Sequence, residues 1–403
     1  MHYDIAIVGA GPAGISFACM LEDSGLKIAL VEKLPESVLA DPPVDGRDIA
    51  LTHLSKKILT RLNVWQNFGD DEISPIQEAL VLDGDDPYTL DFDTGSKSTD
   101  ALGYLVRNNV IRRALYDQAK QMRHITWLYD TEVTDIETSD AQGTLTLSSG
   151  ETVTASLLVA ADTRFSETRR KMGIGAEMKD FGRVAIVCEM EHERSHNNTA
   201  FECFHYGRTL AILPMPGNIS SAVITLPGDQ AEQVMKMSES EFNADITQRM
   251  DNRLGKMKLI DKRYPYPLVA VHAKKFYTKR FALMGDAAVG MHPVTAHGFN
   301  LGLSAGEILS EEIKYAKSKG ESIASDFVLK RYQWKHRHST LPMFHGTNKI
   351  VGLFTDDSFP AKLVRKAVLR ASNHIPPIKW AIRNKLMSEN QVPTLTPPFF
   401  GGL

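Results

Sequence analysis

Gly9-Ala10-Gly11-Pro12-Ala13-Gly14 decides the fold. This G-x-G-x-x-G follows the apolar run Ile5-Ala6-Ile7-Val8, which reads as a buried parallel strand. It opens a stretch, Ala13 to Asp23, in which Phe17, Ala18 and Leu21 share one helical face, and Gly25 ends that stretch. Lys27 to Glu32 (KIALVE) reads as a second strand. In such a β-α-β unit Gly9 permits the tight turn. Gly11 lets a pyrophosphate approach the backbone at the positive end of the helix, and Gly14 lets helix and strand pack closely. The acid that binds the ribose hydroxyls is expected about 20 residues further on, and Glu32 stands at the end of the second strand. Together these features predict a dinucleotide-binding unit. The loop alone leaves NAD and FAD both open.

Working outward, residues 36–48 read as loop, Ser55 to Trp65 as a helix and 85–99 as a hairpin. Val106 to Gln121 has helical spacing. Thr126 to Leu147 reads as strands with a turn at Gln142-Gly143, and Ser156 to Ala161 as another buried parallel strand. Val184 to Glu191, Ala200 to Tyr206, Thr209 to Met215 and Ser221 to Leu226 are short strands broken by Gly, Pro and Asn, the pattern of an antiparallel sheet. Arg280 to Met284 returns to a buried strand, and Asn300 to Ala316 is a helix. No second glycine fingerprint marks a separate nicotinamide domain.

The 403 residues allow two or three domains. Hydrophobic residues at 43% and charged residues at 24% exclude a disordered or collagen-like chain. A net charge of −3 lacks the basic excess that nucleic acid requires. The three cysteines, Cys19, Cys188 and Cys203, are far apart and form no zinc or redox motif, so buried thiols in a reducing compartment are expected. The first residues have no secretory-signal pattern, and no window has the roughly 20 apolar residues of a membrane helix. A cytoplasmic location, peripheral at the inner face of a membrane, is the expectation.

Four further segments carry a resemblance. Arg47-Asp48-Ile49-Ala50-Leu51, Tyr104-Leu105-Val106-Arg107-Asn108, Ala161-Asp162-Thr163-Arg164 through Arg169, and Gly285-Asp286-Ala287-Ala288 running on to Leu303 follow the glycine loop in order. With them the chain resembles the flavin aromatic hydroxylases related to p-hydroxybenzoate hydroxylase. Within these it is most similar to the ubiquinone-biosynthesis hydroxylases, in a branch like the demethoxyubiquinol hydroxylases. The resemblance covers the chain from its first strand to about Phe354. It implies an α/β fold: a Rossmann-like FAD-binding domain, an interleaved antiparallel-sheet substrate domain and a helical C-terminal segment. The expected limits are 1–75, 98–176 and 276–345 for the FAD domain, 76–97 and 177–275 for the sheet domain, and 346–403 for the tail.

The resemblance also implies roles. Gly9, Gly11, Gly14 and Glu32 hold the FAD, Arg47 reaches its phosphates, and Arg107 contacts it. Asp162 serves FAD and the nicotinamide donor, and Asp286 bonds the ribityl chain. For Asp286 the alternative is a helix N-cap, and for the two arginines a solvated surface position. Thr163 stands where the family has glycine, Val289 where it has histidine, and Thr295-Ala296-His297-Gly298 where it has A-G-Q-G. Pro293, Gly298 and Asn300 are kept. Pro293, His297 and Gly298 are therefore the active-site loop candidates, with Gly298 and Asn300 beside the isoalloxazine and Phe299 among the cofactor-binding residues. His292 and His205 are weaker candidates. A helix starting near Asn300 aims its free N–H groups at the negative edge of reduced flavin.

The implied activity is ring hydroxylation of a polyprenyl phenol or quinol by molecular oxygen, through a flavin C4a-hydroperoxide, with NAD(P)H as a transient donor. No metal is required. The alternatives are an FAD-dependent reductase or dehydrogenase of an isoprenoid or quinone, and a non-catalytic flavin-binding subunit of a ubiquinone-biosynthesis complex. The strand pair around Leu210 to Met215 resembles the floor of the family's aromatic pocket, against the alternative of plain core. Residues 361–387 carry seven Lys or Arg, no acid, and interleaved Leu363, Ile378, Trp380 and Ile382. That pattern reads as contact with an anionic membrane surface or as a helix pair packed on the body.

Overall fold

The computed structural model describes residues 2–83, 89–93, 101–205, 207–291 and 297–355. Strand β1 (His2–Val8), helix α1 (Pro12–Met20) and strand β2 (Ile28–Val31) form the expected unit. A short helix α2 (Glu36–Ala40) lies within the segment expected as loop, strand β3 (Asp48–Leu51) starts at its last residue, and α3 (His53–Arg61) follows. Next come β4 (Ile73–Ile76), β5 (Glu78–Asp83), β6 (Thr89–Asp93), β7 (Gly103–Arg107) and α4 (Asn108–Lys120). Strands β8 (Ile125–Leu128), β9 (Val133–Thr138), β10 (Gly143–Leu147) and β11 (Thr152–Ala160) lead to a short α5 (Glu167–Lys171). The middle of the chain holds β12 (Ala176–His192), β13 (Thr199–His205), β14 (Arg208–Pro214), β15 (Ile219–Pro227), α6 (Gly228–Lys236) and α7 (Glu239–Arg249). Strands β16 (Met257–Leu259), β17 (Tyr264–Ala273), β18 (Tyr277–Thr278), β19 (Phe281–Leu283) and β20 (Val289–Gly290) precede α8 (His297–Ser318) and α9 (Asp326–Thr355).

Strands β19, β11, β1, β2 and β8 pair in parallel, in that order. Their near-continuous apolar runs fit a sheet covered on both faces. Helix α1 packs against α8 and α4 on one side of it. A second sheet runs β20-β17-β12-β15-β14-β13-β5-β6, antiparallel except where β13 meets β5. Its back is closed by α6 and α7, whose Val234, Phe242 and Ile246 join Ile186, Leu210 and Ile224 in a separate core. A small sheet, β3-β7-β4, lies between the two bodies. Ala50, Ile76 and Leu102 pack there on Ala79, Val81 and Ala200 of the second sheet.

Three sequence expectations shift. Val106 and Arg107, the first residues of the expected helix, are strand, because β7 pairs with both β3 and β4. Tertiary pairing overrides the helical spacing, and α4 starts only at Asn108. The hairpin is made by β5 and β6, from Glu78↔Asp93 to Leu82↔Thr89, earlier than 85–99; residues 84–88 and 94–99 lie outside the described residues. Residue 346, expected as the start of the tail, falls inside the continuous α9. The basic stretch 361–387 also lies outside the described residues.

Helix α9 docks through a buried aromatic cluster. His336 is 1% exposed and His272 of β17 is 2% exposed. Their rings contact Phe276, and His272 also contacts Phe344. Burial pushes His272 down to about 4 and His336 to about 3. Both are neutral in the folded state, so above pH 6.5 their packing contributes in full. Below it the unfolded chain takes up protons that the folded chain refuses, and stability falls toward pH 4 by up to about 1.4 kcal/mol per pH unit per histidine. Urea unfolding midpoints should drop between pH 7 and pH 5. His336→Phe should cut that drop to about half, His272 still supplying the rest, while changing the pH 7 midpoint little.

Candidate active site

The glycine loop is built by close backbone approach. Gly9 has φ +103°, and a Cβ there would stand 2.7 Å from the Ala161 carbonyl oxygen. A Cβ on Gly14 would stand 2.0 Å from the Gly9 oxygen, whereas one on Gly11 would meet nothing within 4 Å. The loop is thus closed on its protein side and open above Gly11. Gly11 is the N-cap of α1, Pro12 follows, no side chain caps the helix, and its first turn has no acid. Its free N–H groups and dipole face that open space. Glu32 ties the loop to β2: the Ala10 N–H donates to its Oε2 at 2.7 Å and the Leu34 N–H to its Oε1 at 3.0 Å. Each oxygen keeps a lone pair for a ribose hydroxyl.

Asp162 follows β11 beside this loop. Its Oδ2 accepts from Ser166 Oγ at 2.8 Å and Thr168 Oγ1 at 3.0 Å, while Oδ1 is buried with no partner. Thr163 is absent from the residues with positive φ, so its replacement of glycine costs no backbone strain here. Arg169, 3% exposed, donates to the carbonyls of Ala287 at 2.8 Å and Arg164 at 3.1 Å. It staples the Ala161–Arg169 segment to Gly285-Asp286-Ala287. Arg164 lies 3.4 Å from Asp286 Oδ2 and donates to the Val269 carbonyl at 3.2 Å.

Asp286 Oδ1 is 4.0 Å from where a Gly298 Cβ would stand, so its carboxylate faces the start of α8. A Cβ on Gly285 would meet Ala13 Cβ at 2.8 Å, and one on Gly302 would meet it at 3.5 Å. The first turns of α1 and α8 therefore converge on the Gly285-Asp286 segment. The Asn300 side chain is turned inward: Nδ2 donates to the Ala50 carbonyl at 2.9 Å, and Oδ1 accepts from Ser55 Oγ at 2.6 Å and the Thr52 N–H at 3.1 Å. It fixes α8 against β3 and α3. Phe299 packs on the main core. The backbone of His297 opens α8; Pro293 and His292 lie outside the described residues.

The two sequence-predicted arginines are engaged by protein carboxylates. Arg47 Nη2 meets Asp45 Oδ2 at 2.5 Å, with the side chain 48% exposed at the edge of the site. Although burial opposes it, Arg47 holds the Asp45 carboxyl below its usual range. Arg107 makes a two-point pair with Glu189 of β12, at 2.6 and 2.9 Å, clamping the small sheet to the second one. Beside that pair sits Asp48, whose Oδ2 is buried without a partner. Burial pushes its carboxyl up to about 7, against the pull of Ser221 and Arg107. Spacing gave no signal for Asp45, Asp48 or Glu189; an acid two residues before Arg47 was the nearest hint.

Residues 2–334 match the FAD binding domain family. The ubiquinone hydroxylase UbiM of Neisseria meningitidis is 47% identical over 390 residues, spanning 96% of this chain and 85% of that one. The 3-demethoxyubiquinol 3-hydroxylase of Escherichia coli is 26% identical, over 93% of this chain and 96% of that one. The crystal structure of p-nitrophenol 4-monooxygenase PnpA from Pseudomonas putida superposes with a TM-score of 0.77 at 17% identity, covering 96% and 99% of the two chains. The chain belongs to the FAD binding domain family of flavoprotein monooxygenases. It is an FAD-dependent hydroxylase, and the open cradle above Gly11, the orphaned Asp162 Oδ1 and the Asp286–Gly298 facing pair fit that cofactor.

The two glycines should separate folding from binding. Gly14→Ala drives a methyl into backbone and should cost more than about 3 kcal/mol or prevent folding. Gly11→Ala should melt within a few degrees of the parent yet bind FAD roughly 10-fold to 100-fold more weakly, the scale of one lost charge-assisted hydrogen bond. Thermal melts and the 450/280 nm absorbance ratio after dialysis check both.

Proposed function

We propose that this enzyme hydroxylates the ring of a polyprenyl phenol or quinol in ubiquinone biosynthesis. The observation that carries it is the near full-length 47% identity to a protein named ubiquinone hydroxylase. In this reading Gly9, Gly11 and Gly14 cradle the pyrophosphate at the N-terminus of α1, and Glu32 accepts from the ribose. Asp162 and Asp286 take the polar chain between them, and Arg47 exchanges Asp45 for phosphate. Bound FAD supplies the redox chemistry that activates molecular oxygen. The residues of this chain orient and dry the site: Gly298 and the α8 N-terminus, near the active-site loop that includes Pro293 and His297, present N–H groups, while Asn300 fixes the helix carrying them. Arg107 acts as the clamp that holds the small sheet on the substrate face. NAD(P)H is the transient donor.

Substrate-stimulated oxygen uptake tests the reading. The holoenzyme with NAD(P)H and a short-prenyl phenol should consume oxygen and yield a product 16 mass units heavier, 16 being about the mass of one oxygen atom. Oxygen uptake or reductant oxidation without that product would favour the reductase reading.

Among the described residues, no helix is long and apolar enough to cross a membrane. The basic stretch 361–387 is proposed as the contact with anionic lipid, each charge contributing about 1 kcal/mol near the surface. Truncation after Pro360 should keep the flavin spectrum and lose sedimentation with phosphatidylserine vesicles. Loss of FAD on truncation would instead make the tail a structural cap. Membership of a ubiquinone-biosynthesis complex rests on the same substrate reading.

A further inference from the structure

The front of the second sheet carries one carboxyl in an otherwise apolar row. Register places Val187, Val223, Ala211, Glu202 and Val81 side by side across β12, β15, β14, β13 and β5. Strand alternation puts this row on the face opposite the closed core under α6 and α7. The same face meets β3, β7 and β4: Ala79, Val81 and Ala200 pack under Ala50 and Ile76, and Glu189 reaches up to Arg107. The row therefore looks toward the cofactor body. Burial alternates along β14, with Leu210 and Ile212 fully buried and Thr209, Ala211 and Leu213 half-open. The half-open side is the one Glu202 shares.

Glu202 has no hydrogen-bond or ion-pair partner among the described residues, and burial alone pushes its carboxyl up to about 7. A carboxyl in an apolar setting without a partner is costly and is found where a ligand supplies the partner. Its neighbours Ala211, Val223 and Ala200 are aliphatic, and Phe204 lies two residues on along the same side of β13. We propose that Glu202 is the specificity-determining residue of the floor: its carboxyl oxygen accepts a hydrogen bond from a ring hydroxyl of the phenolic substrate. The aliphatic row takes the faces of the ring, and the single acceptor fixes which edge points down. Above pH 7, where the carboxyl is ionised, a ring whose hydroxyl is methylated has no proton to donate there and leaves the carboxylate unpaired. This assignment rests on the phenol hydroxylase reading above.

The test titrates FAD-loaded enzyme with a short-prenyl phenol and with its methyl ether, reading the flavin absorbance change for affinity and product mass for turnover. The parent should prefer the phenol by 10-fold or more, about 1.4 kcal/mol or above. Glu202→Leu should retain its FAD and bring the preference close to one. Glu202→Gln, nearly the same shape with a weaker acceptor, should leave an intermediate preference, and it carries the test if the leucine variant does not fold. Full discrimination by either flavin-loaded variant would overturn the assignment while leaving the hydroxylase reading intact. A parent that binds and hydroxylates neither phenol nor ether would bring down both.

Discussion

Close approach of chain segments at a few positions without a side chain is the constraint on which this molecule depends. Gly14 lies against the Gly9 carbonyl, Gly9 against Ala161, and Gly285 and Gly302 against Ala13. Each contact excludes even a methyl group, or leaves a methyl only bare contact. Together they bring the start of α1, the end of β11, the Gly285-Asp286 turn and the start of α8 to one place. The acids that flank the site, Glu32, Asp162 and Asp286, hold their relative positions because the chain segments bearing them cannot separate without opening these contacts.

Charge does the complementary work between the layers. Arg169, almost fully buried, donates from Nη1 to the Ala287 and Arg164 carbonyls rather than to a carboxylate, so it locks two loops together. Arg107 and Glu189 bridge the small sheet and the large one with a fork geometry that fixes direction as well as distance. Buried pairs of this kind add little net stability but penalise misdocked arrangements, which would strand one charge alone. Two carboxyls with unmet hydrogen-bonding capacity, Asp48 and Glu202, lie on the seam that these clamps hold at a fixed width. Both are raised toward neutrality by burial.

The dinucleotide unit was legible because its chemistry is local. Gly9, Gly11, Gly14 and Glu32 follow one another within a single strand-helix-strand, and their spacing states both the turn and the ligand. The short strands of the second sheet were legible from Gly, Pro and Asn breaks, and Asp286 from its G-D-A-A setting. What was misread shares one cause. Val106 and Arg107 look helical by spacing and become strand because β3 and β4 arrive on either side from distant sequence. Asp48, at the end of the stretch read as loop, begins a strand for the same reason.

By itself, then, the sequence determined a β-α-β nucleotide unit, an antiparallel region after it, and the family to which both belong, since each of these is written in residues close together along the chain. Only the tertiary structure decided which charges are free to act. Arg107 and Asn300 carry the right chemistry for a cofactor, yet the fold spends them on Glu189 and on Ala50, Thr52 and Ser55. Asp48 and Glu202 drew no role from any motif, yet the fold sets them, half-buried, facing the gap between the layers. A hydrogen-bond partner far along the chain, or its absence, is set by which surfaces meet, and no local spacing encodes that.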